Sequence, residues 1–340
     1  MTPIEEVAAN IYRMEIPLPG NPLKAVNSYV VMDSGRNLIV DTGLNRKECM
    51  DAMQAGLKAL NVDLEQTDFF VTHLHADHFA LVPRLVADSR TIYFNRPDAE
   101  SAARGGVWAR MAEYACANGF SEEESRKALE RHPGHRHGSA LNHALTLLDG
   151  GEILFIGGYA FTCISTPGHT RGHMCLYEPD RRILLSGDHI LEDITPNIQS
   201  WSDEMQPLRS YLANLDKIHE LDVDIVLPGH RRIFTRCRKR IEELKHHHKV
   251  RLEEVFEILA KGPRSAYDTA SEMTWDINCK SWQDFPVAQK WFATGEALAH
   301  LKYLVEEGRL VREQRNGQFM FGRAGAVAGR SQRDDSAERA

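Results

Sequence analysis

The 340-residue chain has no paired-cysteine motif. Cys49, Cys116, Cys163, Cys175, Cys237 and Cys279 are scattered, with no CxxC among them. That usage excludes a disulfide scaffold and suits a reducing compartment. No apolar run reaches the ~18 residues that a membrane-crossing helix needs. The N-terminal stretch carries Glu5 and Glu6 and lacks the apolar core of a secretory signal. A cytoplasmic location and no membrane partner are the expectations that follow. An excess of positive charge is also missing. The formal net charge of −7 offers no general pull toward nucleic acid or an anionic membrane. With 42% apolar and 26% charged residues the composition is that of a globular protein, and the length suggests one large domain plus a small one.

What is present centres on Thr72-His73-Leu74-His75-Ala76-Asp77-His78. The short apolar run before it, Asp68 to Val71, reads as a buried strand. The stretch Ala80 to Ala87 after it reads as a helix, so the cluster falls in a strand-to-helix loop. Imidazole and carboxylate together suit zinc, iron or manganese. His73 and His75 lie on one side of an extended segment and can hold one ion. Asp77 and His78, after the turn, can reach a second.

Ligand-type residues recur past later strand patterns, in Pro167-Gly168-His169, Gly187-Asp188-His189 and Pro228-Gly229-His230. Each stands beside a glycine that permits a tight turn. Each motif alone is an ordinary turn, but four such loops in this order converge on one reading.

The set resembles the metallo-β-lactamase superfamily, whose hallmark is HxHxDH followed by single His, Asp and His ligands. The resemblance spans roughly residues 8–235. It implies a four-layered αββα fold and a dinuclear metal-dependent hydrolase. His73, His75 and His169 would bind the first divalent ion, and Asp77, His78 and His230 the second. Asp188 would bridge them. Zinc is the expected metal, with iron or manganese as alternatives. Asp77 would also orient or accept the proton of the attacking water. Asp41, in Asp41-Thr42-Gly43, resembles the family's supporting acid under the metal loop; an ordinary turn aspartate is the competing reading. Lactamases of the two-zinc type carry a Cys ligand, and none stands at these positions.

Other segments are organised around this core. Strands are expected at 9–16, 26–33, 37–40, 144–148, 152–155 and 158–164. Residues 45–60 show a helical stripe through Met50, Met53, Leu57 and Leu60. The stretch 98–137 reads as a helical insertion over the active-site mouth. His189, next to the bridging acid, is read as facing substrate or donating a proton, with a buried, hydrogen-bonded histidine as the alternative. His173 is read as supporting the site or packing.

From Arg231 to Arg251 nine Lys or Arg face only Glu242 and Glu243. Arg231 and Arg232, directly after His230, are candidates for holding an anionic substrate group. A solvated helix is the plain alternative. His246, His247 and His248 are consecutive, so they point to different sides of a helix and cannot chelate one ion well.

The catalytic domain is therefore expected over 1–245. Residues 246–322 read as a separate winged-helix-like domain: a helix at 265–273, another at 287–307, then a hairpin turning at Asn316-Gly317. Ten basic against eleven acidic residues over 246–322 make it a poor DNA reader and favour packing or a homodimer. Residues 323–340 are expected to be a disordered tail.

The functional expectation is hydrolysis of a small-molecule ester or thioester by metal-activated water. A phosphodiesterase or endoribonuclease acting on RNA is the alternative of the same fold. A non-catalytic winged-helix regulator is the alternative of another class.

Overall fold

A computed structural model describes residues 3–139, 143–277 and 279–325. The expected tail falls outside the described residues from 326 on. The chain divides into two compact units.

The first unit comprises 1–107, 133–196 and 210–243. Among the described residues it holds two sheets. The larger has seven strands in sequential order: β1 (Ile4–Ala8), β2 (Ile11–Pro17), β3 (Ala25–Val31), β4 (Asn37–Val40), β5 (Thr67–Val71), β6 (Ile92–Asn95) and β7 (Leu145–Leu148). The smaller has five: β8 (Ile153–Ile156), β9 (Tyr159–Ser165), β10 (Met174–Glu178), β11 (Ile183–Gly187) and β12 (Ile225–Pro228), ordered β12-β11-β10-β9-β8.

Alternation along the strands builds two cores at once. In β5, Phe69 and Val71 pack with Met50, Met53 and Leu57 of the helix Lys47–Ala59. Phe70, between them, turns to the other face and packs with Phe161, Leu176, Leu185 and Leu227 of the smaller sheet. Every residue of β5 is buried, which suits a strand paired in parallel on both edges with β4 and β6. Two sheets face to face, flanked by helices, are the layered fold that the resemblance implied.

This arrangement positions the site. The ligand-bearing loops follow the C-terminal ends of β5, β9, β11 and β12, and Asp41 follows β4. Some elements differ from the sequence expectation, which placed no strand at β6. β1 is formed by the charged N-terminal stretch and pairs with β2. β10 completes the centre of the smaller sheet. The single helix expected at 80–87 is instead two short turns, Ala76–Phe79 and Val82–Leu85.

The second unit comprises 108–132, 197–209 and 244–340. The stretch read as an insertion is thus divided, because its helices Val107–Ala117 and Glu122–Arg131 bury Ala115, Phe120, Ala128 and Leu129 around Trp291. Trp291 lies on the helix Val287–Glu306 and stacks on Trp201, ring centroids 4.1 Å apart. Ser121 caps Glu122–Arg131 by accepting the Glu124 N–H. The unit continues through the helix Ala266–Glu272 and the hairpin β13 (Leu310–Arg315) and β14 (Gln318–Arg323). Asn316 and Gly317 at its turn both have positive φ, the geometry that Asn-Gly favours. The basic stretch lies mostly in one helix, Cys237–Ile258, with Arg231, Arg232 and Arg236 ahead of it. Among the described residues no helix is long and apolar enough to cross a membrane.

Candidate metal centre

The seven residues named as ligands come together. His73, His75 and His169 form one group, Asp77, His78 and His230 another, each with one ligand atom per residue within 4.8 Å of the others. His73, His78 and Asp188 form a third group that joins the first two. Asp188 reaches into both trios. Its Oδ2 lies 3.6 Å from His169 Nε2 and 3.4 Å from His230 Nε2, and its Oδ1 lies 3.6 Å from His78 Nε2. Nitrogen faces nitrogen within each trio: His169 Nε2 is 2.9 Å from His75 Nδ1, and His78 Nε2 is 3.3 Å from His230 Nε2. Five of the seven are buried. Only His75 and Asp77 are partly exposed, so they mark the side open to solvent.

The outer edges of the imidazoles are tied down. Asp41 Oδ2 takes the proton of His78 Nδ1 at 2.7 Å and that of Thr72 Oγ1 at 2.8 Å. His230 Nδ1 donates to the Ala25 carbonyl at 2.7 Å. His73 Nδ1 lies 3.0 Å from Thr72 Oγ1. In each case the second ring nitrogen is turned inward, the arrangement that orients metal-binding histidines. Asp41 is both things the sequence allowed: it supports His78, and it sits at a left-handed turn with φ +58°.

Glycine is required where these loops approach closely. A Cβ on Gly229 would lie 2.5 Å from Asp188 Oδ1 and 2.9 Å from His78 Cε1. Gly168 has φ +145°, and a Cβ there would strike the Tyr211 backbone.

The charges are those of a cation site. Burial opposes ionisation of Asp77 and Asp188, yet neighbouring His78 and His230 hold both carboxyls well below the usual range. Burial likewise opposes a charge on His230, but Asp188 and Asp77 outweigh it and raise its pKa to about 10. Burial and the neighbouring imidazole of His169 drive His75 down to about 3. Two buried polar atoms, His73 Nε2 and Asp188 Oδ1, make no hydrogen bond. Imidazoles and carboxylates aimed inward, with unsatisfied atoms among them, fit a pair of divalent cations of the zinc, iron or manganese class.

Several expected roles change on this geometry. His189 is completely buried, with its ring against Tyr211 and His173. Burial lowers its pKa to about 3, and neither ring nitrogen makes a hydrogen bond, so the ring is buried without the hydrogen bonds expected of a buried histidine. His173 supports the site: its Nε2 accepts the Asp188 N–H at 3.1 Å while its Nδ1 meets Thr166 Oγ1 at 2.8 Å.

The basic flank is not a free anion site. Arg232 pairs with Asp193 at 2.7 Å, and Arg236 with Glu192 and Glu243, both at 2.8 Å. Arg240 donates to the Leu191 and Ile194 carbonyls, and Arg238 to those of His219 and Leu221. Arg231 turns away to donate to the Pro22 carbonyl. The counter-charges lie mostly outside 231–251, so a local charge count did not register them.

One supporting residue was missed altogether. Asn95 caps the helix Arg96–Ala103 by accepting the Asp98 N–H at 2.9 Å. Asp98 is buried and accepts from Leu74 N (2.9 Å), Thr170 Oγ1 (2.7 Å) and Gly172 N (2.8 Å). Asn95-x-x-Asp98 at a strand-to-helix junction carried the cap signal, but nothing local shows where the acid points.

The chain is similar to known proteins over most of its length. Over 311 residues the chain is 23% identical to a beta-lactamase-like protein 2 homolog of Caenorhabditis elegans, covering 90% of this chain and 88% of that one. It is 27% identical over 222 residues to an acyl-coenzyme A thioesterase of Bos taurus, covering 61% of this chain and 74% of the relative. Among solved structures, a metallo-beta-lactamase family protein from Thermus thermophilus superposes with a TM-score of 0.77 at 26% identity, over 94% of this chain and all of that one. Residues 252–324 match the model of the metallo-beta-lactamase-like C-terminal domain. Residues 21–230, which carry all seven ligand-type residues described above, match the model of the metallo-beta-lactamase superfamily, and the chain belongs to that superfamily.

Proposed function

We propose that this protein is a dinuclear metal-dependent hydrolase of a carboxylic thioester or ester, with thioesters the leading class. The observation that carries the reading is the pair of ligand trios joined through Asp188. The similarity to an acyl-coenzyme A thioesterase supports the thioester. Two divalent ions held by these residues, zinc foremost, would supply hydroxide near neutral pH and polarise the acyl oxygen.

The chain's own residues do the rest. Asp41 and the Ala25 carbonyl hold His78 and His230 in the tautomer that keeps Nε2 inward. His173 fixes the backbone that carries Asp188. Asp77, partly exposed on the solvent side, would orient the water or accept its proton. The 246–322 region, with its two helices and hairpin, is proposed to be winged-helix-like and to serve packing. The complete ligand set favours an enzyme over a non-catalytic regulator. The pairing of the basic flank with Glu192, Asp193 and Glu243 gives a phosphodiester or RNA no specific support.

The test is metal analysis of purified protein, then a screen of thioesters, oxyesters and bis-p-nitrophenyl phosphate with and without chelation. Chelator-sensitive thioester cleavage is expected. Cleavage of the phosphodiester with no acyl hydrolysis would overturn the assignment.

A further inference from the structure

The two ligand trios are supported differently. In the second, His78 and His230 are each tied by a direct hydrogen bond, to Asp41 and to the Ala25 carbonyl. In the first, His75 and His169 stand on two loops, one after β5 and one after β9. Their ligand nitrogens, 2.9 Å apart, can share an ion only if those loops keep their spacing.

One side chain spans the two loops. Asp98 is the third residue of the helix Arg96–Ala103 and is 2% exposed. In a capping box, an acid at this position turns back to the start of its own helix. Here its oxygens go outward. Oδ2 accepts from the N–H of Leu74, the residue between His73 and His75, and from the hydroxyl of Thr170, the residue after His169. Oδ1 accepts from the N–H of Gly172 in the same second loop.

The surroundings are built for this contact. Gly172 comes so close to Asn95 that a Cβ would overlap Asn95 Oδ1. Asn95 in turn holds the Asp98 N–H. All three partners of the carboxylate donate, so an amide could not replace it. With one accepting oxygen, Asn would set an NH2 against a donor on one of the loops.

We propose that Asp98 is the positioning residue that sets the spacing of His75 and His169, and thereby the affinity of the first metal ion, while the second ion keeps its own supports. This inference rests on the two-ion reading. The test separates the two.

Apoprotein is equilibrated with graded Zn²⁺, and in parallel with Co²⁺, whose visible bands report each site's ligand field. Wild type, Asp98→Asn, Thr170→Val and His169→Ala are compared. His169→Ala removes a ligand of the first ion and so identifies that ion's bands. Wild type binding fewer than two ions would refute the two-ion reading whatever Asp98 does. With wild type at two ions, Asp98→Asn should weaken the ion identified by His169→Ala by about 10–100-fold, the usual range for a group that orients a ligand. The other ion should stay at wild-type affinity. Thr170→Val removes one donor and should shift the same ion by less. Wild-type affinity for both ions in Asp98→Asn overturns the proposal. So does equal weakening of both ions in a folded variant, which a general structural role would produce. If Asp98→Asn fails to fold, Thr170→Val decides by the same criterion.

Discussion

Each compact unit of this chain buries a cluster of histidine and carboxylate, and the two clusters are closed in opposite ways. In the first unit, Asp77 and Asp188 face His78 and His230, and the ring nitrogens of both trios point at one another. In the second unit, His248 Nδ1 lies 3.1 Å from His300 Nε2, and His300 Nδ1 donates to the Glu296 carbonyl. There the Glu296 carboxylate has a cation of the chain's own, Arg251 Nε at 3.5 Å. Arg251 is also held by Glu254 at 2.6 Å and lies over the Trp275 ring. Buried histidines beside acids are therefore no metal signal in themselves. What separates them is the number of converging ligand atoms and the source of the balancing charge: the first cluster brings trios of ligand atoms together with only imidazoles to balance its acids, whereas the second, among the described residues, offers no such trio and holds a guanidinium.

The largest expected contrast is the response to chelation. Removing metal should abolish hydrolysis and lower Tm, since an ion at a thousandfold excess over its Kd stabilises a fold by about 4 kcal/mol. Calorimetry with and without chelator checks this. A metal-loaded protein whose Tm ignored the chelator would erase the distinction between the clusters.

Next come paired substitutions. Asp188→Ala should lower occupancy of both ions together, because its oxygens reach both trios. Two ions per chain retained in that variant would remove the bridge. Arg251→Met should leave metal content at the wild-type value while destabilising on the order of 3 kcal/mol, the cost of stranding a buried partner charge. Denaturant unfolding beside metal analysis separates the two results.

A smaller effect concerns acid. Burial lowers the pKa of His300 to about 3, so the unfolded chain, with a histidine near 6.5, binds more protons than the folded one below that pH. Stability from this group is complete above about pH 6.5 and is lost as pH falls toward 3. Replacing His300 with Gln should flatten the acid limb of the stability–pH curve between those values. An unchanged slope would show that His300 does not titrate with unfolding.

The smallest effect should come from Arg232→Ala. The side chain is 66% exposed and pairs with Asp193, so Tm, metal content and KM for neutral and anionic thioesters should all stay at wild-type values. A raised KM confined to anionic substrates would restore the basic flank as a binding element.

Much of this was legible from local pattern. HxHxDH, the three glycine-flanked ligands and the helical stripe through Met50, Met53 and Leu57 each depend on residues a few positions apart, where spacing translates directly into direction. The β13–β14 hairpin was equally local, because Asn316-Gly317 favours positive φ at both positions. β1 was less so. Its burial depends on pairing with β2, and its own residues are largely charged or half-buried.

The sequence by itself determined which residues offer ligand atoms and on which strand ends they stand, because ligand chemistry and strand period are properties of neighbouring residues. Only the tertiary structure decided what those residues face. Asp98 is an ordinary helix-start acid until two distant loops bring it three donors. His189 is a candidate proton donor until Tyr211 and His173 close over it. Arg232 and Arg236 are a basic flank until Glu192 and Asp193 arrive from an earlier loop. A side chain's charge state and role depend on atoms within a few ångströms in space, and at these positions the deciding atoms come from far along the chain.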